Sequence, residues 1–206
     1  MGLRRIPPRA HNRSDQVELF MRLWDLPLDD AQMQHIGQHA PISQKRSVFG
    51  NMNNDGAPYP ASSCLASRFH PDFLAVVEPG VRDFLVAIAV DHNLVTYTSC
   101  EGHDYRPDGR LPDERHVGVI PRNREEGERA IAVFEEVGRS INAAPASAAV
   151  EVALMLNRVH DGEAVYPTID LYLSKQPNAG WDDYFADIEL MTAQLVQALE
   201  RHPPIA

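Results

Sequence analysis

The feature that most constrains this chain is an alternating run that doubles back on itself between residues 150 and 175. Val150, Val152, Leu154 and Leu156 alternate with Glu151, Ala153, Met155 and Asn157, and the pattern resumes after Asp161-Gly162 in Val165, Ile169, Leu171 and Leu173. Asp-Gly between two such runs signals a hairpin, because glycine enters the positive-φ backbone of a tight turn without a Cβ clash. A two-residue loop at Asp161-Gly162 sets Leu154 opposite Ile169 and Val152 opposite Leu171. Both apolar sets then fall on one face, so turn chemistry and hydrophobic register agree. Pro167 lacks an amide hydrogen and predicts that its strand is an edge or is bulged there.

The layer that covers this face reads as helical. Asn123 followed by Glu126 has the spacing of a capping box, and the helix behind it presents Ala130, Ile131, Phe134, Val137 and Ile141 until Pro145 ends the region. A final helix from Trp181 carries Tyr184, Phe185, Ile188, Met191, Leu195 and Leu199 as an apolar stripe, with Asp182, Asp183 and Asp187 near its start. Upstream, residues 81–91 have little polar face and predict a buried helix stopped by Asn93. Strands at 94–98 and 116–120 complete a strand–strand–helix order that occurs twice. The expected fold is α+β: a sheet of at least four mostly antiparallel strands with helices packed on it, in a ββα-ββα arrangement. Residues 68–206 form this core domain, with Pro71 at a first helical position ahead of Phe73, Leu74 and Val77.

Residues 1–67 read as an irregular N-terminal arm with short helices, within one globular domain overall. Pro7, Pro8 and several arginines make 1–12 a mobile or partner-contacting piece. Ser14 caps a short helix bearing Val17, Phe20, Met21 and Trp24, and another is expected over 31–38. Residues 41–67 carry Phe49, Met52 and Tyr59, which suit a loop laid over the core or an arm exchanged in a homo-oligomer.

Composition narrows the function class. The chain has 206 residues and a net charge of −10, which argues against a generic binder of nucleic acid, since phosphate contacts need clustered Lys and Arg. The basic start lacks the apolar core of a signal peptide, and no apolar run approaches the roughly 20 residues of a membrane span. Cys64 and Cys100 are the only cysteines, so a reducing cytoplasm is the expected location.

Chemistry concentrates in residues 94–103, LVTYTSCEGH, where a β-branched and aromatic run ends in Ser99, Cys100, Glu101, Gly102 and His103, with Asp104 beyond. Gly102 permits a sharp turn, so a thiol, a carboxylate and an imidazole would cluster at the mouth of a buried strand. By alternation Cys100 shares a face with Thr96 and Thr98. Three chemistries suit the cluster. Cys100 can serve as nucleophile with His103 as base or activating cation, and with Glu101 or Asp104 orienting the ring. Cys100, His103 and His116, with Asp104 beside them, can hold zinc. Ser99 and Gly102 can present hydroxyl and amide groups to an anionic ligand, with Asp104, Arg106, Arg115 and Arg122 around it and residues 104–115 as a cover. On the hairpin, Asp170 lies opposite the aliphatic set and would be an acid or base only in a cleft.

The TSCEGH run of residues 98–103 resembles the Ser-Ser-Cys-Ser-Gly-Arg motif of the third wybutosine-synthesising protein family, with Glu101 in place of a Ser and His103 in place of the Arg. That resemblance implies a strand-to-loop site containing Ser99, Cys100 and Gly102, and S-adenosylmethionine as the cofactor of a tRNA methyl transfer. The residues themselves point first to an enzyme, a hydrolase or transferase, acting on a small polar or anionic molecule. A non-catalytic module that binds such a ligand is the alternative.

Overall fold

The computed structural model describes residues 3–7, 17–25, 27, 46–47, 50–51, 68–69 and 73–206. Its elements are β1 (Arg4–Arg5), α1 (Val17–Trp24), β2 (Arg46–Ser47), β3 (Gly50–Asn51), α2 (Phe73–Val76), α3 (Arg82–Val86), β4 (Thr96–Cys100), β5 (Arg115–Val119), α4 (Arg124–Ala143), β6 (Val150–Asp161), β7 (Ala164–Lys175) and α5 (Trp181–Leu199). The expectations for Ser14, residues 31–38, Cys64, Pro71 and most of 41–67, including Phe49, Met52 and Tyr59, lie outside the described residues. Within that stretch only the short antiparallel pair β2–β3 is described.

Five strands form one mixed sheet in the order β1-β6-β7-β5-β4, and the ββα unit appears twice as β4-β5-α4 and β6-β7-α5. The fold is therefore α+β. The long hairpin forms, with one correction to its register. Leu154 pairs with Leu171 and Val152 with Leu173, because Gly162 (φ 58°) opens the turn instead of closing it and the loop is Gly162-Glu163. The shift is by two residues, so every side chain keeps its face. Pro167 sits in a central strand, but β5 pairs with β7 only as far as Ile169, so no β5 partner needs its missing amide hydrogen.

One sheet face carries the main core. Val152, Leu154, Ile169, Leu171, Leu173, Val117 and Val119 meet Phe134 and Val137 of α4, Ile188, Met191 and Leu195 of α5, and Phe84 and Leu85 of α3. Each such side chain, fully removed from water, contributes about 1.5–3 kcal/mol before the entropy of ordering it. The Asn123 cap is made, its Oδ1 accepting the Glu126 amide at 2.9 Å. The helix expected over 81–91 is instead a short 3₁₀ turn at Pro79–Val81, the α-helical turns of α3 and a π-helical turn at Ala87–Asp91, ended by Asn93 at φ 57°. Asn93 thus acts as the left-handed stop, as its short polar side chain allows.

The arm is partly built into this domain. Arg4 and Arg5, expected in a mobile or partner-contacting piece, pair parallel to β6 and form ion pairs with Glu151 and Glu135, while Leu3 is buried against Gly138 and Val152. Trp24 of α1 is 2% exposed within the main core. The free edge of β6 and the space over Gly138 explain why this segment settles there. No helix among the described residues is long and apolar enough to cross a membrane.

Strand β4 contains an irregularity that decides which way the site faces. Thr96 pairs with Val119 but Thr98 pairs with Gly118, so Tyr97 is an extra residue. The bulge turns Thr96 toward the helices, and Cys100 shares its face with Thr98 and not with Thr96. Tyr97 reaches across Gly118 to donate to Asp170 Oδ1 at 2.8 Å. A Cβ on Gly118 would collide with that carboxylate and with the Tyr97 ring, so only glycine permits the crossing. Asp170 is 3% exposed, on the sheet face opposite the main core.

Candidate active site

The centre is assembled where β4 gives way to the loop. Cys100 is the last residue of β4, Gly102 turns the backbone at φ 86°, and His103 then exchanges two backbone hydrogen bonds with Asp113, at 3.0 and 2.9 Å. Residues 104–112 are thereby closed at the neck. A side chain at Gly102 would be strained by the left-handed backbone, and its Cβ would press to 3.3 Å on Arg115 N and Asp113 O. The turn points the Gly102 amide back to donate to Cys100 Sγ at 3.4 Å.

A third group arrives from another element. Glu78 stands before the Pro79-Gly80 break and is 6% exposed. Its Oε2 accepts the Glu101 amide at 2.9 Å, which leaves Oε1 at 3.0 Å from His103 Nε2. One potential ligand atom from each of Glu78, Cys100 and His103 lies within 4.8 Å of the other two. The His103 imidazole is pushed up to about 10 by its hydrogen bond to Cys100 and then by that to Glu78, against the opposing effect of burial. Tyr105, 5% exposed, stacks on the His103 ring at 5.3 Å and limits its rotation.

The surrounding wall is rigid and internally paired. Glu101 Oε2 accepts the Gly80 amide at 2.9 Å, so Glu101 braces the loop that carries Glu78. Arg115, 3% exposed, donates from Nε to Glu101 O, from Nη1 to Thr192 Oγ1 and from both terminal nitrogens to Glu189. Tyr184 OH accepts the Arg115 amide and donates to Leu173 O, and burial pushes its phenol up. These contacts tie the wall to α5.

Of the side chains expected at the site, Cys100 and His103 come together, and Glu101 and Gly102 shape their backbone. Ser99 remains within β4 opposite Val117. Arg115 is committed to α5, and Arg106 to Asp104 and Asp182 on the outside of the loop. Arg110 lies over the Tyr105 ring at 4.2 Å. His116 is the ladder neighbour of Cys100, yet its ring stacks on Tyr172 and its Nδ1 faces Glu114 O, outside the Glu78–Cys100–His103 group. Arg122 lies past the opposite end of β5, bound to Asp25, Asn93 O and Glu126, and does not join the centre. Sequence reasoning missed Glu78. Its signal was a single carboxylate between Val77 and Pro79-Gly80, in a stretch otherwise apolar from Phe73 to Val81 apart from that break.

A cleft of about 520 Å³ opens beside the centre, lined by Gly80, Glu101, Gly102, Arg115, Phe185 and Glu189, among others. A larger one, about 930 Å³, lies at the other end of the sheet among Met21, Arg122, Ile131, Leu156 and Arg158, away from the clustered chemistry. Comparison of the chain with protein-family models, with curated proteins and with solved structures finds no match.

Proposed function

We propose that the chain is a cytoplasmic enzyme, a hydrolase or transferase, that acts on a small polar or anionic molecule at the Glu78–Cys100–His103 centre. The reading is carried by one observation: carboxylate, sulfur and imidazole converge within 4.8 Å at the end of a braced strand. Polar catalysis needs such a group, in which a proton carrier lies within reach of an electron-rich atom and a third group orients it. His103 is the proton carrier, Glu78 fixes its ring, and Cys100 supplies the sulfur. Ser99, Glu101 and Gly102 form the adjoining wall. The neighbouring cleft is of a size that suits a small metabolite. Cytoplasmic placement is supported by the presence of only two cysteines. Residues 1–67 are the segment through which copies of the chain would associate.

The test is turnover of phosphate esters, amides, carboxylates and nucleosides by the full chain, with S-adenosylmethionine offered as a donor. One class is expected to react, and Cys100→Ala and His103→Ala should each lower the rate by about 100-fold or more. Unchanged turnover in the double variant overturns the reading. A ligand held tightly without turnover assigns the pocket to a binding module instead. A rise in melting temperature with S-adenosylmethionine alone would favour the methyltransferase-like alternative suggested by TSCEGH.

A further inference from the structure

We infer that Glu78, Cys100 and His103 bind a zinc-class divalent cation, with a fourth position left for water or substrate. The inference concerns the centre just described and rests on the reading that it is the working site. It specifies what the three side chains do there, which is to hold a metal, so that proton transfer would fall to a water at the fourth position instead of to His103.

The donor set is the first argument. Thiolate, imidazole and carboxylate together suit a borderline-soft cation such as zinc, whereas all-oxygen sites suit magnesium or calcium. Three protein ligands with one open position are the usual makeup of a catalytic zinc site, and a structural site is normally closed by four. Among the described residues no other group of three His, Cys, Asp or Glu side chains converges in this way.

Orientation is the second argument, and it is independent of the first. Each of the three donors is fixed by a contact that leaves a potential ligand atom within 4.8 Å of the others. Glu78 uses Oε2 on the Glu101 amide, so Oε1 stays inside, buried and 3.0 Å from His103 Nε2. Cys100 Sγ receives the amide of Gly102 two residues on, a bond that stabilises negative charge on sulfur. His103 is held by Tyr105 against its face and by the Asp113 backbone bridge behind it. Secondary contacts of this kind preset metal ligands in the geometry the ion needs. Glu78 and Cys100 are buried at the site while the His103 side chain is 13% exposed, so a fourth ligand would reach the triangle from the His103 side.

The experiment is elemental analysis of the full chain purified without chelator, followed by cobalt(II) titration of the stripped protein. Near-stoichiometric zinc is expected, along with a sulfur-to-cobalt charge-transfer band in the near ultraviolet. Cys100→Ser should abolish that band, and Glu78→Gln and His103→Gln should each weaken cobalt binding by at least about 100-fold, while circular dichroism shows that the variants fold. His116→Ala should leave the affinity unchanged. The chain has nine histidines, so dependence on these three residues is what separates this site from adventitious binding. Absence of bound metal together with absence of the cobalt band overturns the inference, as does binding that persists unchanged in Glu78→Gln. If metal is absent but turnover still depends on Cys100 and His103, the metal site fails and the enzyme reading stands. If metal binds as described and turnover ignores all three residues, the reverse holds.

Discussion

Beyond one end of β5, Glu126 is 3% exposed and accepts Arg122 Nη1 at 3.2 Å; near the other, Glu78 is 6% exposed and faces His103 Nε2 at 3.0 Å. Both carboxylates are buried, and both have a basic partner. They differ in whether the partner can be exchanged. Arg122 is permanently charged and is also bound to Asp25 and Asn93 O, so that end is a staple joining α1, β5 and α4. Glu78 faces an imidazole, with a thiol within 4.8 Å, and these are groups that lose protons and accept metals. A buried charge therefore marks a candidate working site when its partners are replaceable, and a structural joint when they are not.

The largest effect is expected from breaking the staple. Arg122→Met should cost about 3 kcal/mol in urea unfolding, because it leaves Glu126 buried without a counter-charge. Metal content should not change. A loss below about 1 kcal/mol would place this pair with ordinary surface ion pairs and erase the contrast. Next comes removal of the ion from the other end. With free zinc at about 100 times its dissociation constant, chelation should lower stability by about 2.7 kcal/mol, read as a fall in melting temperature. His103→Gln should show no such fall.

Gly102→Ala sharpens the same comparison. The left-handed backbone should make it cost about 1–2 kcal/mol. Cobalt titration should show a loss out of proportion to that cost, because the substitution displaces both the Gly102 amide and His103. A mild destabilisation with unaltered binding would show that the turn is only structural.

The smallest effect belongs to a third buried group, His92, which is attached to neither end. Burial lowers its pKa, and its Nδ1 has no hydrogen-bond partner among the described residues, while Nε2 lies 3.2 Å from Leu199 O. Asp91 opposes that lowering and His202 adds to it. The unfolded chain then binds the proton more readily than the folded one, so stability rises with pH and is lost as pH falls below about 6.5, the unperturbed value. Urea titrations across that window should show the acid loss in the parent chain and in His103→Gln, and a weaker one in His92→Gln. An equal loss in His92→Gln would assign the effect to other groups.

Much of this architecture was legible in residue order. The alternation of Val150–Asp161 and Ala164–Lys175 named two strands, Asn123 with Glu126 named a helix start, and residues 94–103 named the strand that ends in chemistry. The register of the hairpin was two residues off because period-two patterning constrains the face and not the exact partner. The bulge at Tyr97 left no local signal. It answers to Gly118 and Asp170 on neighbouring strands. The arginines around the loop illustrate the same limit. Charge alone suggested ligand contacts, while the fold supplied Glu189, Thr192, Asp182 and Asp25 as internal acceptors.

By itself, the sequence determined what short-range physics controls: the period of each element, the glycine turns, the helix cap, and the placing of Cys100 and His103 three residues apart on one turn. Only the tertiary structure decided that Glu78 completes that pair and that His116 does not. Glu78 lies 23 residues before Glu101, on a segment whose position depends on how the helices pack against the sheet. No local preference of the chain encodes that distance. It follows from burying the apolar faces of α3 and α5 on the sheet, which carries the Pro79-Gly80 break, and the carboxylate before it, to the mouth of β4.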